Sequence, residues 1–271
     1  MNATMPVSDQ QDKTAYEDAA SAAEDSAQQP FPARYEKLRT LWGEEGLRRI
    51  MDAHVLVLGV GGVGSNCIEA LARGGVGRLT ILDRDVVAES NINRQAIAFY
   101  STIGKRKVDV MSAMIEDINP EAQVTKIFGF LRQEEMMEFL DAHACDVDYV
   151  VDAIDTVSAK LKLAELAPNY SFKLISSMGG ANKIHPECFK IADLYETVNC
   201  PLCRIMRKEG RKRGIQQLKV LYSCEQPLET EVEAGWDRHE RSDLGTASFV
   251  PPIFGQMIAG EVLRDLAGRL L

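Results

Sequence analysis

Residues His54–Ser65, HVLVLGVGGVGS, confine this chain to few architectures. A β-branched apolar run stops at four glycines, Gly59, Gly61, Gly62 and Gly64, and an apolar helical pattern resumes at once. Glycines at such a junction let the backbone approach a phosphate, and the following helix points its unpaired N–H groups at the same place. A second strand pattern, Leu79–Asp83, ends on an acid 19 positions past Gly64, near the spacing of about 20 usual for a ribose-binding carboxylate. Taken alone, this fingerprint suggests a dinucleotide such as NAD or FAD.

Strand and helix patterns alternate through the next hundred residues. Val55–Leu58, Leu79–Asp83, Gln123–Phe128, Tyr149–Ala153 and Lys173–Ser177 read as strands. Arg34–Met51, Val63–Arg73, Gly104–Ile118, Gln133–Asp141 and Val157–Ala167 read as helices. That alternation predicts an α/β fold: a Rossmann-like, doubly wound, mostly parallel sheet with helices on both faces and an appended C-terminal β/α segment. Three divisions are expected: a disordered acidic leader over 1–30, a nucleotide-binding domain over 31–178, and an appended C-terminal segment over 179–271. Val250–Leu271 reads as a closing helix and the acidic stretch Glu225–Asp243 as a mobile loop. Ligands in such sheets bind at the carboxyl ends of the strands, so Gly59–Gly64, Asp83–Gln95 and Ala153–Thr156 should converge.

Composition narrows the setting. Residues 1–30 hold six acids and one lysine with no apolar core, which does not suit a secretory signal. Leu244–Gly260 is 17 residues without charge but contains Pro251, Pro252 and three glycines, short of the roughly 20 apolar residues of a spanning helix. The six cysteines (67, 145, 188, 200, 203, 224) lie mostly within apolar patterns, which suits reduced thiols in a cytoplasm. The four histidines have no metal spacing.

The segment after Asp83 displaces the dinucleotide reading. Asp83-x-Asp85 is followed by Ser90-Asn91-Ile92-Asn93-Arg94-Gln95, then by Lys107 at a helix start and by Asp155 past the fourth strand. Arg and Lys neutralise the charge of a departing phosphate, Asn can hold a phosphate or ribose, and a strand-end Asp can carry Mg²⁺. This equips a site for attack on a nucleoside triphosphate. No G-x-x-x-x-G-K-[ST] loop occurs, which excludes a P-loop ATPase. Asp85 has a competing role as a turn cap, and Asp152 is expected to support the site from behind or to face solvent.

These residues resemble the ATP-dependent adenylating enzymes of the ubiquitin-activating and ThiF/MoeB type. The resemblance rests on GxGGxGS at Gly59–Ser65, DxDxVxxSNxxRQ at Asp83–Gln95, IGKRK at Ile103–Lys107 and DAID at Asp152–Asp155. It implies that Asp83 holds the ATP ribose, that Asn91, Arg94 and Lys107 contact the triphosphate, and that Asp155 is the magnesium-associated acid. It also implies that Arg34 reaches into the site of a second subunit in a homodimer.

Within that superfamily, DAIDTVSAKL (152–161), SSMGGANKIHP (176–186), residues 192–215 and YSCEQP (222–227) resemble the tRNA threonylcarbamoyladenosine dehydratases. The resemblance implies ATP-dependent cyclisation of threonylcarbamoyladenosine in tRNA through an acyl adenylate. A monovalent cation near Met178–Gly180 is implied by relatives alone. No role for DNA is expected, and a sulfur-transfer protein stays open as a further partner. The alternative is an adenylyltransferase activating the C-terminus of a ubiquitin-like sulfur carrier. Such enzymes carry two CxxC pairs for zinc, whereas only Cys200-Pro201-Leu202-Cys203 is present here, so zinc is not expected. The remaining alternatives are an NAD-dependent oxidoreductase and a non-catalytic binding module. Arg204–Arg213 has six basic residues in ten (Arg204, Arg207, Lys208, Arg211, Lys212, Arg213) within a chain of net charge −9, and is the expected tRNA surface.

Overall fold

The computed structural model describes residues 31–229 and 244–269. The expected leader 1–30 and most of the acidic loop lie outside the described residues. The chain divides at Lys37 into a short N-terminal unit and a unit spanning Leu38–Leu271. In the first, Ala33–Tyr35 forms one 3₁₀ turn, closed by the Tyr35 N–H donating to the Pro32 carbonyl at 2.9 Å.

Helix α1 (Glu36–Asp52) is broken at Gly43, whose φ of 72° and ψ of 171° are not helical. The single helix expected over Arg34–Met51 is thus a turn and two shorter pieces, because Gly43 adopts a backbone state that other residues avoid. Then follow β1 (His54–Leu58), α2 (Gly62–Arg73), β2 (Arg78–Asp83), α3 (Lys107–Ile118), β3 (Gln123–Phe128), α4 (Met136–His143), β4 (Tyr149–Asp152), α5 (Val157–Leu166) and β5 (Lys173–Ser177). Beyond them come β6 (Phe189–Asp193), α6 (Pro201–Lys212), β7 (Lys219–Ser223) and α7 (Val250–Leu266). Helix α3 begins three residues later than the sequence pattern suggested. Gly104 takes φ 82° within a turn and Arg106 is extended and bridges to Val86, so the helix starts only at Lys107.

The sheet runs β3-β2-β1-β4-β5-β7-β6, parallel throughout except for β6 against β7. Residues past 178 therefore extend the same sheet by two strands. Strand β1 shows how period-two alternation divides the interior. Val55 and Val57 join a cluster with Ile68 and Leu71 of α2, Met111 and Ile115 of α3, and Phe254 and Ile258 of α7. Leu56 and Leu58 point to the other face, with Met136 and Leu140 of α4 and Leu163 of α5. A third cluster joins Met206 and Cys203 of α6 to Val220 and Tyr222 of β7. With both faces covered, the parallel strands leave only their ends to meet a ligand.

Candidate active site

The carboxyl ends of β1, β2 and β4 open onto a cavity of about 300 Å³. Its lining includes Gly59, Gly61, Asp83, Asp85, Asn91, Arg94, Lys107 and Asp155, so the three loops singled out in the sequence meet in one place. The turn between β1 and α2 depends on close backbone approach. A Cβ on Gly64 would lie 1.8 Å from the Gly59 carbonyl oxygen, and Gly59 itself has φ 98°. Gly62 packs on Pro251 and the Arg94 stem, whereas in front of Gly61 a Cβ would meet nothing within 4 Å. Gly59, Gly62 and Gly64 hold the turn, and Gly61 faces open space.

Asp83, at the end of β2, accepts hydrogen bonds from the backbone N–H of Val60 (2.7 Å) and of Asp85 (2.8 Å). Its carboxylate thereby fastens the glycine turn to the second strand. Asp85 is exposed on one side and receives Lys107 Nζ at 3.0 Å. Lys107 has only 5% of its surface exposed, so its ammonium is aimed along the cavity wall rather than into bulk water. Asp85 lines the cavity, and its carboxylate meets Lys107 and Arg84 rather than capping a turn, a part that falls to Asp83.

Asn91 accepts the Ala88 N–H through Oδ1 at 3.1 Å, which leaves its amide NH₂ uncommitted by that bond. Arg94 donates from Nη1 to the Ser90 carbonyl (2.9 Å) and to Asn93 Oδ1 (2.7 Å), bonds that orient the guanidinium at the cavity edge. Asn66, on α2, donates to the Gly62 and Arg94 carbonyls at 2.6 and 3.1 Å and so fixes the arginine loop to the glycine helix. Asp155 is exposed at the rim, where the Thr156 hydroxyl approaches it at 3.4 Å. Arg34 lies in the N-terminal unit with its guanidinium 4.5 Å from the centre of the Tyr35 ring.

Sequence reasoning gave no role to Lys160, beneath the cavity, or to Gln95, on its wall, and it left Asp152 either behind the site or facing solvent. Asp152 does not face solvent. It is buried at the end of β4 and pairs with Lys160 of α5 at 3.0 Å, both side chains 1% exposed. Lys160 also donates to Ser176 Oγ (3.2 Å) and to the Ser177 carbonyl (2.8 Å), so one ammonium ties the ends of β4 and β5 together. A lysine eight residues after a strand-end aspartate was the available signal. The other is Gln95, 7% exposed on the cavity wall, whose Oε1 has no hydrogen-bond partner among the described residues.

An open space before Gly61 and an unmet acceptor on Gln95 show a cavity with room and polar demand for a ligand, and a nucleoside triphosphate fits the donors around it. For a divalent ion the chain offers Asp155, and no cluster of three His, Cys, Asp or Glu occurs among the described residues. One carboxylate suits Mg²⁺, which takes its remaining oxygens from water and substrate phosphates.

A larger cavity of about 810 Å³ lies at the opposite ends of the strands, bordered by Tyr149, Lys173 and Lys219. None of the expected site residues is there. Of its three acids, Glu261 and Asp265 are already paired with Lys219 and Lys173, and Asp193 accepts the Tyr195 and Leu218 N–H groups.

The basic helix α6 is only partly as expected. Arg204, Lys208, Arg211, Lys212 and Arg213 are exposed, but Arg207 turns inward and donates to the Thr197 carbonyl (2.8 Å) and hydroxyl. Lys212 and Arg213 are paired with Glu209 and Glu165. At the start of α6, Cys200 caps the helix by accepting the Cys203 N–H at 3.5 Å. The hydrogen bond with the Cys203 thiol pulls the pKa of the Cys200 thiol below its ordinary value. No helix among the described residues is long and apolar enough to cross a membrane.

Comparison with known proteins agrees with this geometry. Residues 35–270 match the ThiF family. A Bacillus subtilis tRNA threonylcarbamoyladenosine dehydratase is 41% identical over 233 residues, 83% of this chain and 91% of the relative. The Escherichia coli tRNA N6-threonylcarbamoyladenosine dehydratase, solved in complex with AMP, superposes with a TM-score of 0.77 at 30% identity, covering 87% of this chain and 94% of that one. A Salmonella typhimurium molybdopterin-synthase adenylyltransferase is 36% identical, but over only 44% of this chain and 46% of its own length. The chain belongs to the ThiF family, and it resembles the dehydratases of that family over most of their length.

Proposed function

We propose that this protein uses ATP to dehydrate threonylcarbamoyladenosine in tRNA, closing the side chain into a ring. The observation that carries this reading is the meeting of Asp83, Asn91, Arg94, Lys107 and Asp155 around one cavity in front of an open glycine turn. Likeness to the Bacillus subtilis dehydratase along 91% of its length supports the substrate, whereas likeness to the adenylyltransferase covers 46% of that protein.

The chemistry follows from the weakness of a carboxylate as an electrophile, since its oxygen does not leave. The threonyl carboxylate attacks the α-phosphorus of ATP, an acyl–AMP anhydride forms, and pyrophosphate departs. A nucleophilic atom of the same side chain then attacks the activated carbonyl and expels AMP, so one water is lost overall. Attacker and target share a substrate, so orientation replaces a protein nucleophile. Asp83 positions the ribose, Asn91 and Arg94 hold the phosphates, and Lys107 offsets charge on the departing pyrophosphate in a setting shielded from water. Asp155 would hold Mg²⁺, which would supply further neutralisation of phosphate charge.

Arg34 completes the site of a second subunit in a homodimer, and the exposed cations of α6, namely Arg204, Lys208 and Arg211 with Lys212 and Arg213, bind tRNA phosphates. Arg207 serves that surface by bracing it. A monovalent cation near Met178–Gly180 and a cytoplasmic location belong to the same reading. Pyrophosphate exchange into ATP tests it. Exchange that depends on threonylcarbamoyl-modified tRNA supports the proposal, and exchange that depends on a small protein ending in Gly-Gly replaces it with carrier activation.

A further inference from the structure

Two cysteines face each other where β6 and β7 meet. In the antiparallel pairing Phe189 lies opposite Ser223. One step further along, Cys188 lies opposite Cys224, whose N–H donates to the Cys188 carbonyl at 3.0 Å. Opposed residues of an antiparallel pair project to the same face, and across such a bond their Cα atoms stand about 5.5 Å apart. A disulfide spans Cα separations of about 4.4–6.8 Å, so this pair can close without moving the backbone. Both cysteines are free and half-buried, within reach of a small molecule in solution. The CxxC pair is not: Cys200 and Cys203 are 4% and 0% exposed.

Bonds that involve neither sulfur hold the two segments together. The Glu225 carboxylate accepts the Ile184 N–H at 3.1 Å and the His185 N–H at 3.1 Å. Buried Lys183 donates to the Ser223 carbonyl at 3.0 Å and to the Glu225 carbonyl, one on each side of Cys224. Burial, then a hydrogen bond with the Cys224 thiol, push the Cys188 thiol above its ordinary pKa, and the charges of Glu187 and Glu225 add to the rise. Cys188 therefore keeps its proton longer and attacks second, and an uncharged oxidant suits these acidic surroundings better than an anionic one.

We propose that Cys188 and Cys224 form a reversible thiol–disulfide modification site, a staple that fastens the 184–188 turn to the end of β7. The oxidant is a small-molecule disulfide. The Cys224 sulfur attacks one sulfur of that molecule and expels a small thiolate, leaving a mixed disulfide. Cys188 then loses its proton, attacks the Cys224 sulfur and expels the second thiolate. One small disulfide takes up two electrons and two protons and becomes two thiols, while the protein gains one disulfide. The staple also bears on the basic helix, because Asn199, just before the α6 cap, donates to the Cys224 carbonyl at 2.9 Å. None of this depends on the dehydratase reading.

The test treats the reduced full chain with neutral bis(hydroxyethyl) disulfide, alkylates the remaining thiols and maps the tryptic peptides. The peptides over 184–190 and 220–238 emerge joined and lighter by two hydrogens than their sum. Dithiothreitol separates them again. Cys188→Ser and Cys224→Ser each abolish the link, and Cys145→Ser keeps it. Closure raises Tm by about 5–10 °C in the wild type and leaves Cys188→Ser unmoved, since the link constrains the unfolded chain. Alkylation of both cysteines, a separate small adduct on each, or a link between Cys200 and Cys203 in their place overturns the proposal. So does a joined pair whose Tm fails to rise, because the strands would then not present the thiols ready to close.

Discussion

Two aspartate–lysine pairs stand at the ends of this sheet with the same separation, 3.0 Å, and opposite surroundings. Asp85 is 54% exposed and Lys107 6%, whereas Asp152 and Lys160 are each 1% exposed. The first pair can be rebuilt around an arriving phosphate, because Asp85 regains water when its lysine turns away. The second cannot, since either charge left alone beneath the strands has no water and no opposite charge, only neutral groups such as the Ser176 hydroxyl. Distance does not separate a chemical group from a structural brace. Access to water does.

The sharpest way to break this comparison is to remove Lys160. Lys160→Met leaves a buried carboxylate unpaired and should cost about 3–5 kcal/mol of stability, read by denaturant unfolding. Adding Asp152→Asn removes the orphaned charge and should recover part of that loss. A single mutant with wild-type stability would contradict the brace. Lys107→Ala should show the reverse profile. Its kcat/KM falls about 10²–10³-fold, as expected for lost stabilisation of developing charge, while stability changes by about 1 kcal/mol. Steady-state kinetics beside the same unfolding assay separates the two lysines.

Asp155→Asn sharpens the rim side. If its carboxylate holds the divalent ion, half-maximal rate requires about 10–100-fold more Mg²⁺, equivalent to one lost charge-assisted contact. The smallest effect belongs to Asp85→Asn. An exposed partner contributes at most about 1 kcal/mol, so stability barely moves, and any fall in rate reports misorientation of Lys107. A large stability loss there would erase the distinction between the two pairs.

Much of the cavity was legible in the sequence because its residues sit at strand ends, where a parallel sheet exposes its loops and residue type determines chemistry. Gly59–Gly64, Asp83–Gln95 and Asp155 needed only the β-α alternation to be brought together. Side-chain direction was less legible. Lys160 reads as an ordinary helix cation, and only packing against β4 and β5 turns it inward. Arg207 is one cation among six in Arg204–Arg213, yet its bond to Thr197 ties down its guanidinium and leaves it half-buried. Gly43 interrupts a helix that apolar spacing alone would have continued, since periodicity records which face is buried and not where the backbone breaks.

The central claim is that ATP is consumed to activate a carboxylate on tRNA. Incubation of the wild-type protein with ATP, Mg²⁺ and threonylcarbamoyl-modified tRNA tests it most directly, with AMP and the mass of the modified nucleoside followed together. The account predicts one AMP formed for each nucleoside that loses the mass of one water. Nucleoside mass unchanged while AMP accumulates, or ADP formed in place of AMP, would contradict it.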